Sequence, residues 1–234
     1  MFEGFTKETG EYLWELSFHN ERSWFQEHKE QFERCLNRPF RDLAKDTAER
    51  LQALHPEMDV QCHVSRIYRD ARRLYGRGPY KDHLWFTLKD GANYQEGPMF
   101  WFEVHAATYS YGLGFFDVTP AEMELFRKAI DAHPARFERL AAPIAARKEF
   151  RVIGPEYSRP KGSYDEPIRS WYNRKRVGAE VLKDLEGNAF SPELPNILIE
   201  AFERLMPMYQ FLLQVHRAAV EAEPALSQRR GHGG

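Results

Sequence analysis

Two short stretches concentrate the side chains that could do chemistry. Between positions 66 and 81, Arg66, Arg69, Arg72, Arg73, Arg77 and Lys81 stand against one acid, Asp70, a net charge of +5. Between 159 and 176, Arg159, Lys161, Arg169, Arg174, Lys175 and Arg176 meet only Asp165 and Glu166, a net of +4. The chain as a whole carries −2, so the remainder sums to −11. Gly76, Gly78, Pro79, Pro160 and Gly162 set the backbone where such segments must turn, and Tyr68, Tyr75, Tyr80, Tyr164, Trp171 and Tyr172 add flat faces with polar tips. Arginine forks bind carboxylate or phosphate bidentately, and Asp70 beside Arg69 can hold a guanidinium in one orientation. If the two segments converge, Arg66, Arg69, Arg72, Lys81, Lys161 and Arg174 would grip a small phosphate- or carboxylate-bearing ligand. Any reaction there would rest on electrostatic stabilisation, with Tyr80 or Lys81 transferring a proton. The sequence does not decide whether a reaction occurs.

Two other readings use the same residues. Arginine interleaved with tyrosine and tryptophan suits nucleic-acid backbones and stacked bases, although a pI near 6.5 and the surrounding negative charge oppose a long polyanion. Alternatively, the basic stretches dock on an acidic partner, or are solvated loops paired with neighbouring acids. No metal or cofactor is expected. His19 and His28, or His63, His83 and His105, could be assembled into a metal site, and Glu103 shares a strand face with His105, but no HExxH or Cys/His spacing is present. There is no G-x-S-x-G nucleophile elbow, no phosphate-binding glycine loop, and no carboxylate pair that stands out among 35 acids. Cys62, in an apolar alternation, reads as a buried thiol.

The elements that must carry these stretches follow from periodicity. From Phe5 to about Leu54 the pattern is helical: Trp24, His28, Phe32, Cys35 and Leu36 share a face, Asn20 fits an N-cap, and Pro39 marks a break before Leu43, Leu51 and Leu54. The period then becomes two, at Val60–Val64, Leu84–Leu88 and Phe100–Ala106, with another strand through Phe115 and Phe116 after the punctuation Tyr111-Gly112-Leu113-Gly114. Thr119-Pro120-Ala121-Glu122 is a capping box with proline at the first helical position, followed by an inward stripe of Met123, Phe126 and Ile130. A second helix is expected over 133–147, a short strand over 150–153, and a long ordered loop from Gly154 to about Gly178. Ser191-Pro192 opens a helix that Pro207 restarts. These patterns predict a single α+β domain over 5–220, a mainly antiparallel sheet flanked by N-terminal and C-terminal helices, with a disordered tail over 221–234.

Composition agrees. With 234 residues, 42% hydrophobic and 29% charged, the chain can bury a full core unaided, and collagenous and disordered classes are excluded. No apolar run approaches the roughly 18 residues of a membrane span. Two cysteines are too few for a disulfide framework, and Met1–Phe5 lacks the basic start of a secretory signal, so a cytoplasmic protein without a membrane partner is expected. Oligomeric state is not indicated.

Phe5, Asn20-Glu21-Arg22-Ser23-Trp24-Phe25, Arg69-Asp70-Ala71-Arg72, Pro79-Tyr80-Lys81 and Arg159-Pro160-Lys161-Gly162 stand in an order and spacing that resembles the uncharacterised family called domain of unknown function 2461, from about Phe5 to Met208. The family string R-D-x-R-F-S-x-D-K-x-P-Y-K is departed from at Arg73, Leu74, Gly76 and Arg77, and Ser163 resembles an insertion. The resemblance implies a single α+β domain and no particular activity. It also implies that Arg69, Asp70, Arg72, Pro79, Tyr80, Lys81, Arg127, Lys161 and Lys175 occupy signature positions, which adds Asp70, Arg127 and Lys175 to the candidate ligand-binding residues.

Overall fold

A computed structural model describes residues 1–70, 72, 74, 76–91 and 96–230, with side chains to 222. Arg73 and Tyr75 of the first basic stretch and the last four residues of the expected tail lie outside the described residues. The chain is 50% helical and 20% strand, an α+β fold. It opens with α1 (Lys7–Phe18), α2 (Arg22–Glu27), α3 (Lys29–Phe32), a π-helical turn (Glu33–Asn37) and α4 (Arg38–Leu54). The strands β1 (Val60–Val64), β2 (His83–Asp90), β3 (Met99–His105) and β4 (Thr108–Phe115) follow. Next come α5 (Pro120–Ala132), α6 (Pro134–Ala145), β5 (Arg151–Ile153), α7 (Ile168–Tyr172), β6 (Val177–Asp184), a 3-10 turn (Gly187–Phe190) and α8 (Leu194–Arg230). The six strands form one antiparallel sheet in the order β1-β2-β3-β4-β6-β5, flanked by the N- and C-terminal helices. No helix among the described residues is long and apolar enough to cross a membrane.

Two compact units are interleaved along the chain. One comprises Met1–Tyr94, Phe100–Tyr111 and Leu182–Ala201; the other comprises Gln95–Met99, Gly112–Val181 and Phe202–Gly234.

In the first unit, alternation sends Leu84, Phe86 and Leu88 of β2 and Phe100, Phe102 and Val104 of β3 into the core. Phe5 stacks on Phe102 at 6.2 Å, and Phe40 of α4 meets Phe86 edge-on at 5.7 Å. Each such ring stabilises the fold by about 1.5–3 kcal/mol through burial. Pro39 does not break the chain as its type predicts. It has no N–H for the Cys35 carbonyl four residues back, so the helix widens and Arg38 N–H donates to the Glu33 carbonyl. The Cys35 oxygen is satisfied instead by the buried Thr9 hydroxyl of α1 at 2.7 Å.

Several local expectations are corrected. Glu21, not Asn20, is the N-cap of α2. Leu54 is exposed, and so is Cys62 on the outer strand β1; the buried cysteine is Cys35, whose thiol burial pushes up to about 12. Tyr111-Gly112-Leu113-Gly114 lies inside β4 rather than before it. A Cβ on Gly112 would collide with the Ala179 carbonyl of β6, so glycine here marks a close backbone approach, not a turn. The expected loop over 154–178 contains α7 and the start of β6, which its Pro/Gly/Tyr-rich approach concealed. The helix expected from Ser191 begins at Leu194 and runs unbroken through Pro207.

In the second unit, the Thr119 capping box forms as expected: Glu122 N–H donates to Thr119 Oγ1 at 3.2 Å and Thr119 N–H to Glu122 Oε2 at 2.7 Å. Met123, Phe126 and Ile130 are buried, and Phe126, Phe137, Trp171 and Phe211 pack edge to face.

Candidate functional site

The first basic stretch belongs to the first unit and the second stretch to the second unit. The two ends of the first pair as a short ribbon: Arg69 N–H donates to the Pro79 carbonyl at 2.8 Å and Lys81 N–H to the Ile67 carbonyl at 2.7 Å, with a bridge between Tyr68 and Tyr80. Asn20 clamps its end. Its Nδ2 donates to the Tyr80 carbonyl at 3.0 Å, and its Oδ1 accepts from Tyr80 N–H at 2.9 Å. Tyr80 itself is buried and stacks on Phe25 at 4.2 Å, which makes it a packing residue whose phenol is pushed up by burial.

The candidate cations here differ in what they are free to do. Arg69 is a strut: Nε donates to the Tyr80 carbonyl at 2.7 Å and Nη2 lies 3.3 Å from Asp82. Arg72, 88% exposed, closes on Asp70 at 2.9 Å, a solvated local pair. Lys81 donates to the Arg66 carbonyl at 2.8 Å and lies 5.7 Å over the Trp85 ring. Its ammonium is held below the usual lysine range by burial, then by Arg66 and Arg69. His63, 5.4 Å from the same indole, is pushed down by burial, then by Lys81 and Arg66. Arg66 is exposed. A concavity of about 310 Å³ beside this ribbon is lined by Arg22, Gln26, Tyr68, Arg69, Pro79 and Tyr80, among others.

The polar face of the sheet continues from Lys81. Strand pairing sets His83 opposite His105 and Trp85 opposite Glu103, so the alternation that buries Leu84 and Val104 turns His83, Glu103 and His105 to one side. Glu103 Oε1 lies 3.5 Å from His83 Nε2 and 3.2 Å from His105 Nε2. Asp82 Oδ1 lies 2.9 Å from the other His83 ring nitrogen, and Arg69 reaches the same oxygen. The sequence offers His83 and His105 as possible ligands and sets Glu103 on the strand face of His105; what it lacks is the register of β2 against β3, which brings His83 to the same carboxylate.

In the second unit, three cations share one aromatic ring. Above Tyr157 lie the Arg127 guanidinium at 5.5 Å, Lys161 Nζ at 4.8 Å and Lys175 Nζ at 5.8 Å. Arg127, on α5, has a side chain only 7% exposed; Nη2 pairs with Glu124 at 3.2 Å, while Nη1 is buried without a hydrogen-bond partner among the described residues. The backbone that presents the lysines is tied down. Asn173 Oδ1 accepts the N–H groups of Lys161 at 2.7 Å and Gly162 at 3.3 Å, Asn173's carbonyl accepts Tyr157 N–H at 3.0 Å, and Lys175 N–H donates to Pro155 at 2.8 Å. A Cβ at Gly162 would lie 2.6 Å from the Tyr172 ring. Tyr172, whose phenol burial and Asp131 push up to about 12, and Tyr164 both donate to Asp131. Arg174 is a strut like Arg69: it donates to the Ser170 and Gly154 carbonyls and pairs with Glu156 at 3.1 Å. Trp171 is buried against Phe137 rather than offered as a platform. Tyr157, the ring the cations gather on, was not singled out in the sequence; its place two residues before Arg159 was the available signal.

The model of the family described as conserved hypothetical protein (DUF2461) matches residues 8–211, and the chain belongs to that family. No curated protein matches the sequence.

Proposed function

We propose that this member of the DUF2461 family binds a small anionic ligand, phosphate- or carboxylate-bearing, and that Arg127, Lys161 and Lys175 around Tyr157 are its principal grip. The observation that carries the reading is Arg127 Nη1: a buried guanidinium donor without a hydrogen-bond partner among the described residues, beside two further cations on one ring. A buried donor left unmade costs about 1–3 kcal/mol, more when charged, and like charges gathered together add to that cost. An anion relieves both. Asn173 and Gly162 hold the lysine-bearing backbone before any ligand arrives, which lowers the ordering cost of binding. Arg69 and Arg174 support backbone instead.

Thermal unfolding in phosphate, pyrophosphate or citrate, each against chloride at equal ionic strength, tests this. At a hundred times Kd a site-bound anion stabilises by about 2.7 kcal/mol, so the wild type should melt higher with at least one of them. Lys161→Ala and Lys175→Ala, at exposed positions, should fold normally and lose that increment. Wild type that responds to none of the anions, or lysine variants that respond as it does, would overturn the assignment. Single-stranded nucleic acid is the comparison arm, and a steep loss of binding with salt there would favour the nucleic-acid alternative.

A further inference from the structure

The geometry points to a second site, in the first unit and independent of the anion reading: we propose that His83, Glu103 and His105 bind a divalent transition-metal ion, zinc foremost. Their three ligand atoms all lie within 4.8 Å of one another. Both imidazole Nε2 atoms converge on the same carboxylate oxygen, at 3.5 and 3.2 Å. In a tetrahedral centre with bonds near 2.0–2.1 Å, neighbouring ligand atoms stand about 3.3 Å apart, so little movement is needed to admit an ion between them. Two nitrogens and one carboxylate oxygen suit zinc, iron or cobalt and disfavour magnesium and calcium, which take oxygen.

The support around the ligands has the form such centres use. His83 presents Nε2 inward because Asp82 holds its opposite ring nitrogen at 2.9 Å, and Arg69 in turn lies 3.3 Å from that carboxylate. A carboxylate behind a ligating histidine fixes the ring and raises its basicity. Arg69, which also donates to the Tyr80 carbonyl, thereby steadies the carboxylate behind His83. Three protein ligands leave at least one coordination position open. The side chains are 24%, 25% and 40% exposed for His83, Glu103 and His105, so water or a substrate oxygen can reach that position. Lys81 and Trp85 belong to the same stretch of chain and sheet, with Trp85 paired opposite Glu103.

The test uses the full chain, stripped with chelator and titrated with Co2+ and then Zn2+. Wild type should take up one equivalent, with visible bands of a low-coordinate Co2+ centre that Zn2+ abolishes. His105→Ala, at the most exposed ligand, should keep the wild-type melting curve in the absence of metal and lose those bands, with affinity down at least tenfold. Asp82→Asn should keep the stoichiometry and weaken affinity about 10–100-fold. Absence of stoichiometric uptake by folded wild type would overturn the proposal and leave Glu103 as an ion-pair partner of the two histidines. Retention of the cobalt spectrum in both His105→Ala and Glu103→Gln would overturn it too, by placing the metal elsewhere.

Discussion

Asn20 and Gly78 form a lock. The Asn20 amide bonds both the N–H and the carbonyl of Tyr80, and a Cβ on Gly78 would collide with that side chain, so the residue at 78 must be glycine while asparagine stands at 20. After Asn20→Ala the Tyr80 carbonyl keeps Arg69 Nε, but its N–H loses this partner. Asn20→Ala should therefore cost about 1–3 kcal/mol in urea unfolding. Gly78→Ala should be costly alone and much less so in the Asn20→Ala background, with a coupling of about 1 kcal/mol or more. Strict additivity of the two substitutions would disprove the lock. The sequence presents Asn20 as a cap because a short amide before a helical pattern fits one; its true partner lies 60 residues away, where no local rule reaches.

Helix α5 shows how far an element's own chemistry goes. Its start was legible to the residue because capping is local: Thr119, Pro120 and Glu122 satisfy the first turn among themselves. The structure adds His216 of α8, whose Nδ1 lies 2.8 Å from Glu122 Oε1. Burial raises the Glu122 carboxyl, but the Thr119 N–H, His216 and the Thr119 hydroxyl outweigh it and hold the group below the usual 4.5. A depressed carboxylate contributes stability that is present above its unfolded value and lost as pH falls through the folded one. Wild type should thus lose stability from about pH 4.5 downward partly through this group, and Glu122→Gln should show a shallower acid limb and about 1 kcal/mol less stability at pH 7. Identical slopes for the two proteins would contradict the assignment. The π-helical turn was not legible in the same way. Pro39 announces a missing donor, yet whether the helix breaks or widens depended on Thr9, from a different helix, taking the orphaned Cys35 carbonyl.

Across the whole molecule, the strand order leaves β1 and β5 at the sheet's edges and β3 and β4 at its centre. Native-state hydrogen exchange should find the amides of Phe100–Val104 among the slowest and those of Arg151–Ile153 among the fastest, because edge pairs open without disturbing the core. Equal protection of both would mean that the sheet opens as one unit. What the sequence alone determined was whatever repeats within a few residues: the helical stripes, the capping box, the alternation of β1 to β3, and the separation of charge into two stretches. Tertiary structure decided which of those residues stand together. A strand slipped by one residue would turn His83, Glu103 and His105 to the opposite face, and Tyr157 gathers cations from positions 127, 161 and 175. Composition fixes how many such groups a chain carries, but register and the packing of distant helices fix where their tips meet, and those depend on contacts that no short window of sequence contains.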